Sequence, residues 1–146
     1  MKRRDVLAAG AGMALLALVR PASATPEEMA AAIKVFTGGV TPQEGKVRFD
    51  IAQLIDNGNA VPVTVAVDDG AGHVAAIAIF NEKNPQTDVA VFTLGPRAGK
   101  AEVSTRIRLA TSQRLIAIAR MGDGSYWSKS VDVIVTLAAC IEGEAP

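Results

Sequence analysis

The sequence predicts an all-β fold, an immunoglobulin-like antiparallel β-sandwich of about seven strands with a short N-terminal helix. Valine recurs at every second position along residues 61–67, and mainly apolar residues alternate with polar ones along residues 101–109. This is the period of a strand with one buried face. Turn-forming clusters of Gly, Pro, Asn and Asp separate the runs at fairly even spacing. The remaining strands are expected at residues 46–51, 74–80, 89–94, 115–121 and 126–137.

A short helix is expected before the strands. Residues 25–28, Thr-Pro-Glu-Glu, have the form of a capping box with proline at the first helical position. Apolar residues at helical spacing follow and give the helix one apolar face: Met29, Ile33 and Phe36. The helix should end before Gly38-Gly39 and pack this face on the body of the domain.

The first 24 residues have the form of an export signal, with a charged start, an apolar stretch and a small-residue cleavage site. The paired arginines favour the twin-arginine pathway, and an ordinary Sec signal is the alternative. The apolar stretch is too short to span a bilayer about 30 Å thick, so no membrane association is expected. We predict a periplasmic mature protein. This prediction depends on Arg3, Arg4, Ala22 and Ala24.

Charge argues against nucleic-acid binding. The chain has 15 basic and 15 acidic residues. Removal of residues 1–24 takes away four basic residues and one acidic residue, so the mature chain is mildly acidic. It has no clustered basic footprint of the kind that nucleic-acid-binding proteins carry.

The residue inventory offers little for a metal or cofactor site. The chain has one histidine, His73, and one cysteine, Cys140, whereas a metal site needs several ligands. His73 is predicted to be a solvated turn residue, and Asp68-Asp69 to be part of a glycine turn. No glycine-rich phosphate loop joins a strand to a helix. We therefore expect no cofactor.

Cys140 is the most informative residue of the chain. An exported protein normally pairs its cysteines, so a single thiol is a buried inert group, an intermolecular disulfide or a working thiol. It lies in the tail, residues 138–146, which has little apolar surface with which to dock. We therefore divide the chain into a signal peptide at 1–24, a domain at 25–137 and a mobile arm at 138–146. The arm residues around the thiol are Ala138, Ala139, Ile141, Glu142 and Gly143.

The first testable prediction concerns the reactivity of the Cys140 thiol. An unperturbed thiol has a pKa of about 8.5, and the nearby Glu142, Glu144 and terminal carboxylate should raise the pKa rather than lower it. Cys140 should therefore not be activated by its own chain. The rate of alkylation, measured against pH in the isolated protein, should have its midpoint at about 8.5 or above. A midpoint well below 8 would contradict this prediction.

Several segments together resemble the SoxY family, the sulfur-carrier subunit of the periplasmic thiosulfate-oxidising system. They are residues 57–63 (NGNAVPV), Asn84-Pro85, residues 95–110 (GPRAGKAEVSTRIRLA) and residues 121–127 (MGDGSYW), followed by a strand that leads to a terminal cysteine. The resemblance covers nearly all of the mature chain, and the twin-arginine leader fits it.

The resemblance implies a carrier rather than an enzyme, with Cys140 at the position of the carrier cysteine. It implies a heterodimer with a SoxZ-like β subunit that has no export signal of its own. A haem-containing enzyme would load thiosulfate on the thiol, a hydrolase would release sulfate, and a sulfane dehydrogenase would act in organisms that have one. The carrier itself would hold no cofactor.

The ending of the chain departs from the family pattern. The usual ending is Gly-Gly-Cys-Gly-Gly, whereas Ala138-Ala139 precede the cysteine here and six residues follow it. Alanine lacks the positive-φ freedom of glycine, so the arm should be stiffer, and its acidic extension adds bulk.

Two alternatives to the carrier remain from the sequence. In the first, the chain is a non-catalytic exported sandwich that is tethered through an intermolecular disulfide at Cys140. In the second, Cys140 and His73 form a nucleophile pair of an enzyme.

Three arginines in the segments that resemble the family are expected to be outward charges: Arg97, Arg106 and Arg108. Trp127 in the same segments is expected to be a packing residue.

Overall fold

Two β-sheets face each other in the computed structural model, which describes residues 24–69 and 73–139. Helix α1 spans Pro26–Thr37. The strands in the described part of the chain are β1 Gln43–Glu44, β2 Val47–Asp50, β3 Leu54–Ile55, β4 Val61–Val67, β5 Val74–Asn81, β6 Asp88–Thr93, β7 Glu102–Ile107, β8 Gln113–Met121 and β9 Tyr126–Val135. The larger sheet has the order β1-β9-β8-β5-β6, with β3 also paired to β9, and the smaller has the order β2-β4-β7.

The predicted β-sandwich with one short helix is confirmed. Each of the seven predicted runs contains one strand, and these strands are β2, β4, β5, β6, β7, β8 and β9. The seven predicted strands pair antiparallel with one another. The two additional strands, β1 and β3, have two residues each and pair with β9 in parallel. Two residues are too few to produce an alternating pattern. Their effect is to cover the outer edge of β9, which would otherwise expose unpaired backbone groups.

The main core lies between the two sheets. Alternate residues of β4, such as Val63 and Val65, face alternate residues of the larger sheet, such as Ile77 and Leu115. These side chains are almost completely buried. Burial of each such side chain contributes about 1.5–3 kcal/mol, so this core rather than the short edge strands stabilises the fold.

Helix α1 covers the opposite face of the larger sheet. Its predicted apolar face packs on Ala78, Phe80 and Ile118. Phe36 makes an edge-to-face contact with Phe80, with ring centroids 5.8 Å apart. The predicted capping box is present, and the helix ends at Gly38 with φ of 63°. The sequence therefore located both ends of the helix.

Thr25→Ala should destabilise the protein by about 1 kcal/mol, because the Thr25 hydroxyl accepts a hydrogen bond from Glu28 N at 3.2 Å. Urea unfolding followed by circular dichroism measures this change. Thr41→Ala is the matched control, since Thr41 is exposed and its hydroxyl makes no hydrogen bond within residues 24–69 and 73–139. Equal stability of the two variants would contradict the role of the cap.

The predicted signal residues Arg3, Arg4 and Ala22 lie outside the described residues, and the signal peptide stays a prediction. Ala24 is described: it is buried, and its N–H donates to the Asn84 carbonyl oxygen at 3.2 Å. Within residues 24–69 and 73–139, no helix combines the length and apolarity that crossing a bilayer requires.

Candidate functional site: the root of the C-terminal arm

Cys140 and the arm residues Ile141, Glu142 and Gly143 lie outside the described residues. The structure follows the chain as far as Ala139, the residue before the thiol. The described part of the site is therefore the segment that we call the arm root, residues 136–139. Its contacts determine the point from which the arm starts.

The end of β9 and the arm root lie between two other segments of the chain. On one side, Thr136 N donates to the Ile55 carbonyl oxygen at 2.9 Å, which continues the pairing of β3 with β9. On the other side, Val135 N donates to Ser112 Oγ at 2.8 Å. The chain is thus held on one side at the last residue of β9 and on the other side at the residue that follows it.

A group of four residues, which we call the Gly58 clasp, holds the arm root itself: Gly58, Leu109, Leu137 and Ala139. Gly58 N donates to the Leu137 carbonyl oxygen at 2.8 Å, and Leu109 N donates to the Gly58 carbonyl oxygen at 2.8 Å. Ala139 N donates to the Leu109 carbonyl oxygen at 3.0 Å. These three backbone hydrogen bonds join segments that are far apart in sequence.

The clasp holds the beginning of the predicted arm. The arm is predicted at residues 138–146 because the tail has little apolar surface. Ala138 is exposed, but Ala139 is only 7% exposed and is hydrogen-bonded to Leu109. The chain therefore stays on the sandwich through Ala139, and the division of the chain after residue 137 stays a prediction. Mobility beyond that residue stays a prediction.

Gly58 is necessary for this close approach. A Cβ atom on Gly58 would overlap the Leu109 carbonyl oxygen and would lie 3.0 Å from Ala139 N and 3.2 Å from a Val135 methyl group. The first two atoms belong to the backbone, so they cannot move aside as a flexible side chain can. Glycine is thus required at this position by the space between three segments of backbone.

The Asn84 side chain holds the segment on which the clasp is built. Asn84 Nδ2 donates to the Arg108 carbonyl oxygen at 2.7 Å, and Asn84 Oδ1 accepts from Ala110 N at 3.0 Å. Both partners are neighbours of Leu109, which is fully buried. Asn84 Oδ1 also accepts from Gln113 Nε2 at 2.9 Å. Leu109 is therefore fixed on both sides by this network, of which the sequence showed only the Asn84-Pro85 match to the family.

The surface beside the arm root is apolar. Three side chains there are about 60% exposed: Leu54, Ile134 and Leu137. An open groove of about 690 Å³ lies next to them and is lined by residues of β2, β3 and β4 and by Asp56 and Asn57, the two residues before Gly58. The arm thus starts at an end of the sandwich that exposes hydrophobic surface.

Charges around this end include one close ion pair. Arg114 Nε donates to Asp132 at 2.8 Å, and this hydrogen bond lowers the pKa of the Asp132 carboxyl group. The arginines that the sequence analysis expected to point outward are exposed, and none of them forms an ion pair within the described residues: Arg97, Arg106 and Arg108. Arg108 directly precedes Leu109 of the clasp.

His73 lies far from the arm root. It is exposed, its Nδ1 lies 3.0 Å from the Asp69 carbonyl oxygen, and its own carbonyl accepts from Gly122 N just after β8. The arm root lies beyond the other end of β8, where Gln113 pairs with Val133. The nine residues of β8 span about 27 Å, so the structure does not bring His73 and the arm root together.

Trp127 is a packing residue, as the sequence predicted. It is half-buried against the main core, and Lys46 Nζ lies 4.8 Å from its ring centroid. Within the described residues, no group of three or more His, Cys, Asp or Glu side chains could hold a metal ion.

Comparisons with known proteins identify the family. The family model described as "Sulfur oxidation protein SoxY" matches residues 33–140. Among solved structures, the sulfur carrier protein SoxY from Chlorobium limicola f. thiosulfatophilum is 31% identical, with a TM-score of 0.65. The match covers 77% of this chain and 100% of that one.

More distant structural matches show the fold alone. A superoxide reductase (neelaredoxin) from Ignicoccus hospitalis is 12% identical, has a TM-score of 0.56 and covers 78% of this chain and 95% of its own. No match was found among curated proteins. Because the family model covers more than half of the sequence, up to and including the single cysteine, the chain belongs to the SoxY family of sulfur oxidation proteins.

Proposed function

We propose that this protein carries the sulfur intermediates of thiosulfate oxidation covalently on the Cys140 thiol and presents them to partner enzymes. One observation carries the proposal: the family match runs to residue 140, which is the only cysteine in the chain. The structure adds that the preceding residue, Ala139, is buried and is held against the sandwich by a backbone hydrogen bond to Leu109.

The chemistry of loading is an oxidation. The Cys140 thiol and thiosulfate, S₂O₃²⁻, join through a new S–S bond to give R–S–S–SO₃⁻, one proton and two electrons. A haem-containing enzyme accepts the electrons. Hydrolysis by a second enzyme then converts R–S–S–SO₃⁻ and water into R–S–S⁻, sulfate and two protons. A sulfane dehydrogenase, where an organism has one, oxidises the remaining sulfur.

In this proposal the protein works in the periplasm as a heterodimer with a SoxZ-like β subunit. Family membership and the twin-arginine form of residues 1–24 support this placement. The carrier contributes no catalytic group of its own. The partner enzymes act on the sulfur that the carrier brings to them.

Loading of the purified heterodimer tests the proposal. The protein is incubated with thiosulfate and the haem enzyme of the same organism, and haem reduction is followed by absorbance alongside intact mass. We expect two electrons per protein molecule and a mass gain of S₂O₃ less the lost proton. Haem reduction without an adduct would contradict the proposal. A dimer linked through Cys140 as the sole product would indicate a tethering module instead.

A further inference from the structure

We propose that Gly58 is a positioning residue for the carrier arm. Gly58 holds the arm root on the sandwich, so that the Cys140 thiol starts from a fixed point. The inference rests on the proposed carrier function for its biological meaning. Its structural basis is independent of that function. Gly58 bonds to the arm root through Leu137, and its missing Cβ leaves the space that Ala139 and Leu109 occupy.

The loop that carries residue 58 is the part of the clasp that would yield if this space were filled, because the closest overlap is with the fixed Leu109 carbonyl oxygen. Leu109 is fully buried, and Asn84 binds the backbone groups on both sides of it. Ala139 is held by one backbone hydrogen bond, and Leu137 is 60% exposed. A side chain at residue 58 should therefore push the loop with the exposed Asn57 and Asn59 away from Leu109. This shift breaks the Gly58–Leu137 hydrogen bond and releases the arm root while the core stays in place.

The state of the clasp sets the reach of the thiol. With the clasp closed, the chain is held on the sandwich as far as Ala139. With the clasp open, three more residues, 137–139, are released, and they add about 10 Å of extended chain. A longer free chain also has more conformational entropy to lose when it enters a partner's cleft. A closed clasp should therefore lower the KM of the partner enzyme for its carrier.

Gly58→Ala tests the inference, and Gly99→Ala is the matched control. Nothing lies within 4 Å of a Cβ atom built on Gly99, and neither glycine has a positive φ. Amide hydrogen exchange of Ala139 should become at least about fivefold faster in the Gly58 variant, the factor expected for one net hydrogen bond. Exchange of the core amides of Val65 and Ile77 should not change. Gly99→Ala should match the natural protein throughout.

The loading reaction gives a second readout, provided that the carrier concentration is expressed as folded protein. With the haem enzyme, the KM for the folded Gly58→Ala carrier should rise about fivefold, while kcat of the enzyme stays within about twofold. Unfolded carrier would by itself raise the apparent KM, so the folded fraction of each variant is measured by circular dichroism and the KM is calculated from it. An unchanged KM together with unchanged exchange at Ala139 would overturn the proposal.

A second variant tests the clasp if Gly58→Ala does not fold. Ala139→Pro removes the N–H that donates to Leu109 and adds nothing at residue 58. The exchange rate of the Gly58 amide and the KM should both rise. Ala138→Pro is the control, because the Ala138 N–H makes no hydrogen bond within the described residues, and it should leave both quantities unchanged. If the natural protein is never loaded, the proposed function fails, and the exchange measurements still decide whether the clasp exists.

Discussion

Replacing Cys140 by serine is expected to abolish the formation of any sulfur adduct. The carrier reaction forms an S–S bond, and a serine hydroxyl offers neither the sulfur atom nor an anion that forms near neutral pH. Because the chain has one cysteine, no other residue can take over the reaction. The measurement is the intact mass of Cys140→Ser after incubation with thiosulfate and the haem enzyme. The loss should be complete.

His73→Ala is the control for this variant. His73 is separated from the arm root by the length of β8, so its removal should leave loading unchanged. A Cys140→Ser protein that still gains sulfur would contradict the carrier assignment. Loss of loading in His73→Ala with Cys140 intact would support the alternative of an enzyme that uses both residues.

Replacing Asn84 by alanine is expected to lower the free energy of unfolding by about 3 kcal/mol. The change leaves the Arg108 carbonyl oxygen, Ala110 N–H and Gln113 Nε2 without their Asn84 partner, and the last two of these bonds are partly buried. Unpaired buried groups cost about 1–3 kcal/mol each. Urea unfolding measures the loss. Exchange of the Ala139 amide should also become faster, since Leu109 is held less firmly.

Gln86→Ala is the matched control in the same loop. The Gln86 side chain is exposed and makes no hydrogen bond within the described residues. The backbone carbonyl of residue 86 accepts a hydrogen bond from Asn81 Nδ2, and the variant keeps this carbonyl. Its stability should equal that of the natural protein. A loss of less than about 1 kcal/mol in Asn84→Ala would show that water replaces the lost bonds and that the network does not fix Leu109.

The elements that the sequence predicted correctly are those that leave a periodic or local signal. β4 alternates buried and exposed residues over most of its length, so its pattern is visible without a structure. The ends of α1 are determined by Thr25 and Gly38, which act on neighbouring backbone. Such signals need no knowledge of distant parts of the chain.

The arm root could not be predicted because its attachment leaves no such signal. The tail was judged by its apolar content, whereas the clasp consists of backbone hydrogen bonds and of a missing side chain at Gly58. Gly58 follows Asp56-Asn57, so in the sequence it is indistinguishable from an ordinary turn glycine. Its role depends on Leu109 and Ala139, which are distant in sequence. Only the folded chain brings them together.

The central claim is that the Cys140 thiol holds sulfur between reactions of partner enzymes. Its most direct test is tandem mass spectrometry of the C-terminal peptide of protein isolated under non-reducing conditions from cells that oxidise thiosulfate. The account predicts thiosulfonate, sulfonate or sulfane additions on Cys140 of this peptide. Recovery of the peptide with an unmodified thiol alone, in cells that are actively oxidising thiosulfate, would contradict it.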